Sequence, residues 1–179
     1  MLLSFISAIR EKPWLRRALL AAIAYYYLKR RLTKRSVDGK VVLITGGASG
    51  IGREMAFAFA KQGAKLVLWD VDAARLARTK EDVEEATTDF ARDGCTKHAV
   101  VYTDRVDVSN NEAVYAAAER VRANVGHVDV LINNAGIISG EQLCDISDAR
   151  VKATMGVNVL AHFWTIKVSS LLPRYMYHP

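Results

Sequence analysis

The run Lys40-Val41-Val42-Leu43-Ile44-Thr45-Gly46-Gly47-Ala48-Ser49-Gly50-Ile51-Gly52 decides the fold of this chain. Residues 40–45 are a short β-branched stretch that ends in glycines, the pattern of a buried strand. Residues 51–62 have helix-favouring composition, and Gly63 ends them. Between the two lies a turn poor in side chains. Backbone must approach a pyrophosphate closely there, and a side chain would block it; the amides of the helix N-terminus then face the anion. A glycine turn alone is a weak signal, but a strand before it and a helix after it make it specific. The spacing is Gly-x-x-x-Gly-x-Gly, and neither Lys-Ser nor Lys-Thr follows, which excludes a nucleoside-triphosphate P-loop. Thr45, Gly46, Ser49, Gly50, Ile51 and Gly52 are the candidate phosphate-site residues.

Working outward, apolar runs alternate with helical patterns. Ala64–Val71 reads as a second strand, 73–92 as a helix with Leu76, Val83, Ala86 and Phe90 on one face, and His98–Val108 contains a third strand. Ser109 and Glu112 have capping-box spacing ahead of a helix over 113–125 that carries Val114, Ala118, Val121 and Val125, with Gly126 as its stop. Val128–Ile132 reads as a fourth strand. Residues 148–171 read as a further helix with Val151, Met155, Val159, Phe163 and Ile166 as its core stripe. Strand–helix repetition of this kind implies an α/β fold with a parallel sheet and right-handed crossovers. Asp70, at the end of the second strand and 18 residues after Gly52, is suited to accept both hydroxyls of an adenine ribose and to repel a 2′-phosphate. NAD is therefore expected over NADP.

The net charge of +6 is unevenly distributed. Residues 1–40 hold ten Lys+Arg against two Asp+Glu, a net +8, so the remainder carries −2. A nucleic-acid-binding domain would carry its basic stripe on the folded body, so a membrane surface is the better partner for this segment. Residues 2–9 and 18–28 are apolar, but neither run reaches the roughly 20 residues of a spanning helix. Trp14 and Tyr25–Tyr27 suit a headgroup region, and Arg16, Arg17, Lys29, Arg30, Arg31, Lys34 and Arg35 suit anionic lipid. Residues 1–36 are read as an interfacial or hairpin anchor and 37–179 as the nucleotide-binding domain, on the cytosolic side. A soluble packing helix and an organelle-targeting peptide are the rival readings. Cys95 and Cys144 lack C-x-x-C spacing and His98, His127, His162 and His178 are scattered, so no metal site is expected.

With these motifs in register, the sequence resembles the short-chain dehydrogenase/reductase family. Gly46, Gly50 and Gly52 match its cofactor loop. Asp107-Val108 matches the acidic position that in the family contacts the adenine, and Asn133-Asn134-Ala135-Gly136 matches the motif that steadies the sheet beside the cofactor. Asn158 matches the family's catalytic asparagine. The runs Leu66–Asp70 and Val157–Trp164 are similar to the branch of membrane-bound retinol dehydrogenases and lipid-droplet hydroxysteroid dehydrogenases. The resemblance implies a Rossmann-type doubly wound sheet of order 3-2-1-4 in this chain, with the later strands missing. It implies oxidoreductase activity on a lipophilic alcohol or ketone, a cytosol-facing domain at the endoplasmic reticulum or lipid droplet, and is compatible with a homodimer.

In that family a tyrosine, a lysine four residues later and a serine do the proton chemistry. No Tyr-x-x-x-Lys occurs downstream of Asn158, and Ser169, Ser170, Tyr175 and Tyr177 come too early. The chain is accordingly expected to be a fragment, splice product or incomplete gene model, with weak NAD binding at best and an exposed fourth strand. The alternative is a membrane-anchored, non-catalytic nucleotide-binding or interaction protein.

Overall fold

The computed structural model describes residues 20–26, 36–91, 99–140, 142 and 144–169. The chain divides into two units, Met1–Ser36 and Val37–Pro179. In the first, residues 20–26 are helical; the remainder of the expected anchor, with Trp14 and the 29–35 basic cluster, lies outside the described residues. No described helix is long and apolar enough to cross a membrane.

In the second unit, strands β1 (Val41–Thr45), β2 (Lys65–Asp70), β3 (Val101–Arg105) and β4 (Val130–Ile132) form one parallel sheet of order β3-β2-β1-β4. Helices α1 (Gly50–Ala60), α2 (Ala73–Ala91) and α3 (Asn111–Asn124) are the crossovers. After β4 come α4 (Asp148–Met155), a π-helical turn (Gly156–Leu160) and α5 (Ala161–Ser169). Leu43 sits in register between Val67 of β2 and Leu131 of β4.

Both faces of a parallel sheet must be covered, because its crossovers place helices there. Side chains alternate across β1 and β2. Val42, Ile44, Leu66 and Leu68 therefore pack with Ala56, Ala60, Leu76 and Val83 of α1 and α2, while Val41, Leu43, Val67 and Trp69 pack with Val114, Ala117, Ala118 and Val121 of α3 and Ala161 of α5. Each of the Val, Leu and Ile side chains among these contributes on the order of 1.5–3 kcal/mol when fully buried. At the β3 edge, Asp104 accepts hydrogen bonds from Arg120 at 2.8 Å, which raises the guanidinium pKa above its ordinary value.

Three local expectations are corrected. The cap of α3 is Asn110, whose Oδ1 accepts the Ala113 amide at 3.1 Å, while the Ser109 hydroxyl donates to Asp107 instead. The fourth strand is confined to Val130–Ile132. The helix over 148–169 runs through a π-helical turn, and its apolar stripe does not face inward: Val151, Met155, Val159, Phe163 and Ile166 are exposed, the last two at 62% and 56%. Gly156, Ala161, Thr165 and Ser169 face the core. This face lies against α3, and small residues let the helix approach where the larger apolar ones would not fit. The Phe90 side chain lies outside the described ones.

Candidate functional site

The connections at the carboxyl ends of β1, β2, β3 and β4 border one crevice at the edge of the sheet, where open α/β folds bind ligands. Two glycines are sterically required. Gly46 has φ +67°, and a Cβ on it would lie 2.9 Å from the Ala135 Cα. A Cβ on Gly52 would collide with the Gly46 carbonyl and crowd the Asn134 carboxamide. Gly50 has φ +53° and open space around it.

The turn is fastened on three sides. The Trp69 carbonyl accepts the amides of Gly46 at 2.7 Å and Gly47 at 3.2 Å. The Thr79 hydroxyl of α2 donates to the Ala48 carbonyl at 3.1 Å. Asn134 Nδ2 donates to the carbonyls of Thr45 and Gly46 at 3.0 and 3.1 Å. The N-cap of α1 is Ser49 in extended backbone, and its side chain makes no capping bond. The first-turn amides are thus presented without a side-chain acceptor, which is the electropositive end an anion needs.

Asp70 reaches into the same region. Its Oδ2 accepts the Ala48 amide at 3.1 Å and its Oδ1 the Asp72 amide at 3.1 Å. These bonds orient the carboxylate at the rim and leave further lone pairs on both oxygens. The Asp72 carboxylate accepts the Arg75 amide at 3.0 Å, as the cap of α2. Asp107 is held by Ser109, whose amide and hydroxyl donate to Oδ1 at 2.9 and 2.7 Å, leaving Oδ2 without a described partner.

These groups border one crevice of about 360 Å³. Of the sequence-derived cofactor residues, Gly46, Ser49, Ile51, Asp70, Asp107, Val108, Asn134, Ala135 and Gly136 line it. Thr45, Gly50 and Gly52 do not. Thr45 is buried, and its Oγ1 accepts the Asn134 and Ala135 amides at 3.0 and 3.1 Å, joining β1 to the exit of β4. Trp69, Val71, Val106, Ile137 and Val157 also line the crevice and were not singled out as site residues from the sequence. Each flanks or follows a residue that was, so adjacency was the available signal. The residues fit a dinucleotide: two positions where a Cβ is excluded, an uncapped helix N-terminus and a carboxylate one strand away.

Asn158 does not line the crevice. It sits in the π-helical turn, and its carboxamide is bound to the main chain of Ile137 by two hydrogen bonds of 2.9 Å. Asn133 accepts from the buried Thr165 hydroxyl at 2.8 Å, which joins the β4 exit to α5. Among the described residues no cluster of His, Cys, Asp or Glu is arranged to hold a metal; Cys144 is free and exposed.

The short chain dehydrogenase family model matches residues 40–176. Retinol dehydrogenase 10-B of Danio rerio is 41% identical over 160 residues, covering 84% of this chain and 46% of the relative. Estradiol 17-beta-dehydrogenase 11 of Macaca fascicularis is 43% identical over 143 residues, covering 80% and 43%. Among solved structures, a short chain dehydrogenase/reductase from Burkholderia phymatum in complex with NAD is 39% identical, with TM-score 0.64 over 75% of this chain and 44% of that one. L-sorbose reductase from Gluconobacter frateurii, complexed with NADPH and L-sorbose, is 32% identical, with TM-score 0.65 over 74% and 46%. The chain spans about half the length of the curated relatives it matches.

Proposed function

Since this chain belongs to the short chain dehydrogenase family, an oxidoreductase family that binds NAD(P), we propose that it is the dinucleotide-binding half of an NAD-dependent oxidoreductase acting on a lipophilic alcohol or ketone. The observation that carries the reading is the uncapped N-terminus of α1 beside Asp70 on a single crevice. The sheet order orients the ligand. Asp70 ends β2 and Asp107 follows β3, the glycine turn follows β1, and Asn134–Ile137 follow β4. The adenosine then lies over β2 and β3, the pyrophosphate over the glycine turn, and the nicotinamide on the β4 side. NAD is favoured over NADP because the Asp70 carboxylate would repel a 2′-phosphate. When bound, the dinucleotide supplies the hydride acceptor or donor; the residues here hold, orient and shield it. The substrate class rests on similarity to a retinol dehydrogenase and an estradiol dehydrogenase.

The 179 residues by themselves are read as inactive, because they hold no Tyr-x-x-x-Lys downstream of Asn158 to transfer the hydroxyl proton. In this reading residues 1–36 attach the protein to an anionic membrane surface at the endoplasmic reticulum or lipid droplet, with the domain facing the cytosol. A homodimer is compatible with it. Titration of the purified chain with NADH, followed by fluorescence, is the test. Saturable binding with a Kd of about 0.1–1 mM is expected. Absence of saturation, or equal affinity for NADPH, would overturn the cofactor assignment. Turnover of long-chain alcohols with NAD by this chain would overturn the assignment of inactivity.

A further inference from the structure

We propose that Trp69 is a positioning residue for the phosphate-binding turn, a role carried by its buried indole and not assigned by any cofactor motif. Trp69 stands at the junction of two layers. Its carbonyl holds the Gly46 and Gly47 amides, and the next residue, Asp70, holds the Ala48 amide. Three successive amides of the turn therefore hang from the last two residues of β2. The height and direction at which the turn leaves β1, and so where the free amides from Ser49 onward point, follow from where that strand end sits.

Any residue can offer the carbonyl. What the side chain adds is a fixed position for it. The indole is fully buried and packs with Leu43 of β1, Ala118 and Val121 of α3 and Ala161 of α5. It also borders a cavity of about 20 Å³ beneath the sheet, shared with Leu43, Ala118, Val121, Val168 and Ser169. Among the described residues its Nε1 is the buried side-chain polar atom without a hydrogen-bond partner. Phenylalanine would avoid burying that donor. The bicyclic ring therefore acts through its reach from β2 to the α3–α5 layer, and not through a hydrogen bond. A smaller ring would enlarge the existing cavity instead of being absorbed, because close-packed interiors relax only partially. The strand end above it would then gain freedom, and the turn with it.

This inference rests on the dinucleotide reading of the crevice for its consequence, but its structural core can be tested without ligand. Trp69→Phe and Trp69→Leu would be made in the full chain. Nuclear magnetic resonance would follow hydrogen exchange at the Gly46 and Gly47 amides, with the amide of Val42, a β1 residue packed on the opposite face of the sheet, as reference. Affinity would be measured for NADH and for adenosine, which lacks the pyrophosphate. Trp69→Phe is expected to speed exchange at Gly46 and Gly47 about tenfold with Val42 unchanged. It should weaken NADH about fivefold while adenosine stays within about twofold. Unchanged exchange at the two glycines, or a loss of NADH and adenosine together, overturns the proposal. A parent chain that binds no NADH removes the cofactor reading and leaves the exchange measurement to decide Trp69. If Trp69→Leu does not fold, the phenylalanine variant carries the test.

Discussion

The Asn158 carboxamide grips the main chain of Ile137 at both ends, with Nδ2 donating to the Ile137 carbonyl and Oδ1 accepting the Ile137 amide, each at 2.9 Å. A side chain from the π-helical turn thereby sets the Ile137 backbone, which borders the crevice on its β4 side. Asn158→Ala is expected to lower stability by about 1–2 kcal/mol, since two hydrogen bonds to partly exposed groups are lost and water replaces them incompletely. Chemical denaturation measures it. A loss restored by Asn158→Asp would show that the Nδ2 donor contributes nothing.

Gly52→Ala places a methyl group against the Gly46 carbonyl and the Asn134 carboxamide. The turn, the Asn134 side chain or the start of α1 must then shift. NADH affinity should drop by at least about tenfold, equivalent to roughly 1.4 kcal/mol. Gly39→Ala, where no atom lies within 4 Å of the added Cβ, is the control for a glycine at positive φ remote from the crevice. Calorimetric titration of both variants gives the comparison, and equal losses would remove the steric argument.

Asp70→Asn retains an acceptor for the Ala48 or Asp72 amide but removes the charge. The ratio of NADPH to NADH affinity should rise by about tenfold or more, because the repulsion of a 2′-phosphate is removed. Parallel titrations at two ionic strengths give a second readout, since a repulsion between exposed charges weakens in salt. A ratio unchanged at low salt would place the source of preference elsewhere.

The outward stripe of α4 and α5 yields a stability contrast. Phe163→Ser, on an exposed side chain, should change stability by no more than about 0.5 kcal/mol. Ala161→Leu, inserted between α5 and the α3 layer, should cost about 1–3 kcal/mol. Melting curves of the two variants would reverse in order if the apolar stripe were the buried face.

Attachment to lipid is expected to reside in residues 1–36. The full chain should co-float with vesicles containing anionic lipid, less so in high salt, at about 1 kcal/mol per basic residue near the surface. A form beginning at Val37, the first residue of the second unit, should stay in solution. Flotation of both forms alike would assign the contact to the domain.

Much of the fold was legible because local pattern and global architecture agree. The β-branched run before Gly46, the helix stops at Gly63 and Gly126, and the alternation of runs led to the parallel sheet. The resemblance supplied its order, and the structure has it. The crevice residues were mostly legible too, since backbone approach to phosphate demands glycine at fixed spacing. Capping was less so. Ser109 and Asn110 are adjacent good caps, and the choice fell to Asn110 because the Asp107 carboxylate captures the Ser109 hydroxyl and amide.

The amino-acid order by itself determined the strand–glycine–helix unit, the carboxylate at the end of β2 and the basic character of the first 40 residues, because each depends on short-range sterics, spacing or charge. Tertiary structure alone decided which face of the last helix is buried, that Asn158 clamps Ile137, and that Thr45 faces the sheet instead of the crevice. Those outcomes depend on contacts between residues distant along the chain: the small-residue face of α5 fits closely against α3, and the larger apolar residues are left outside by volume.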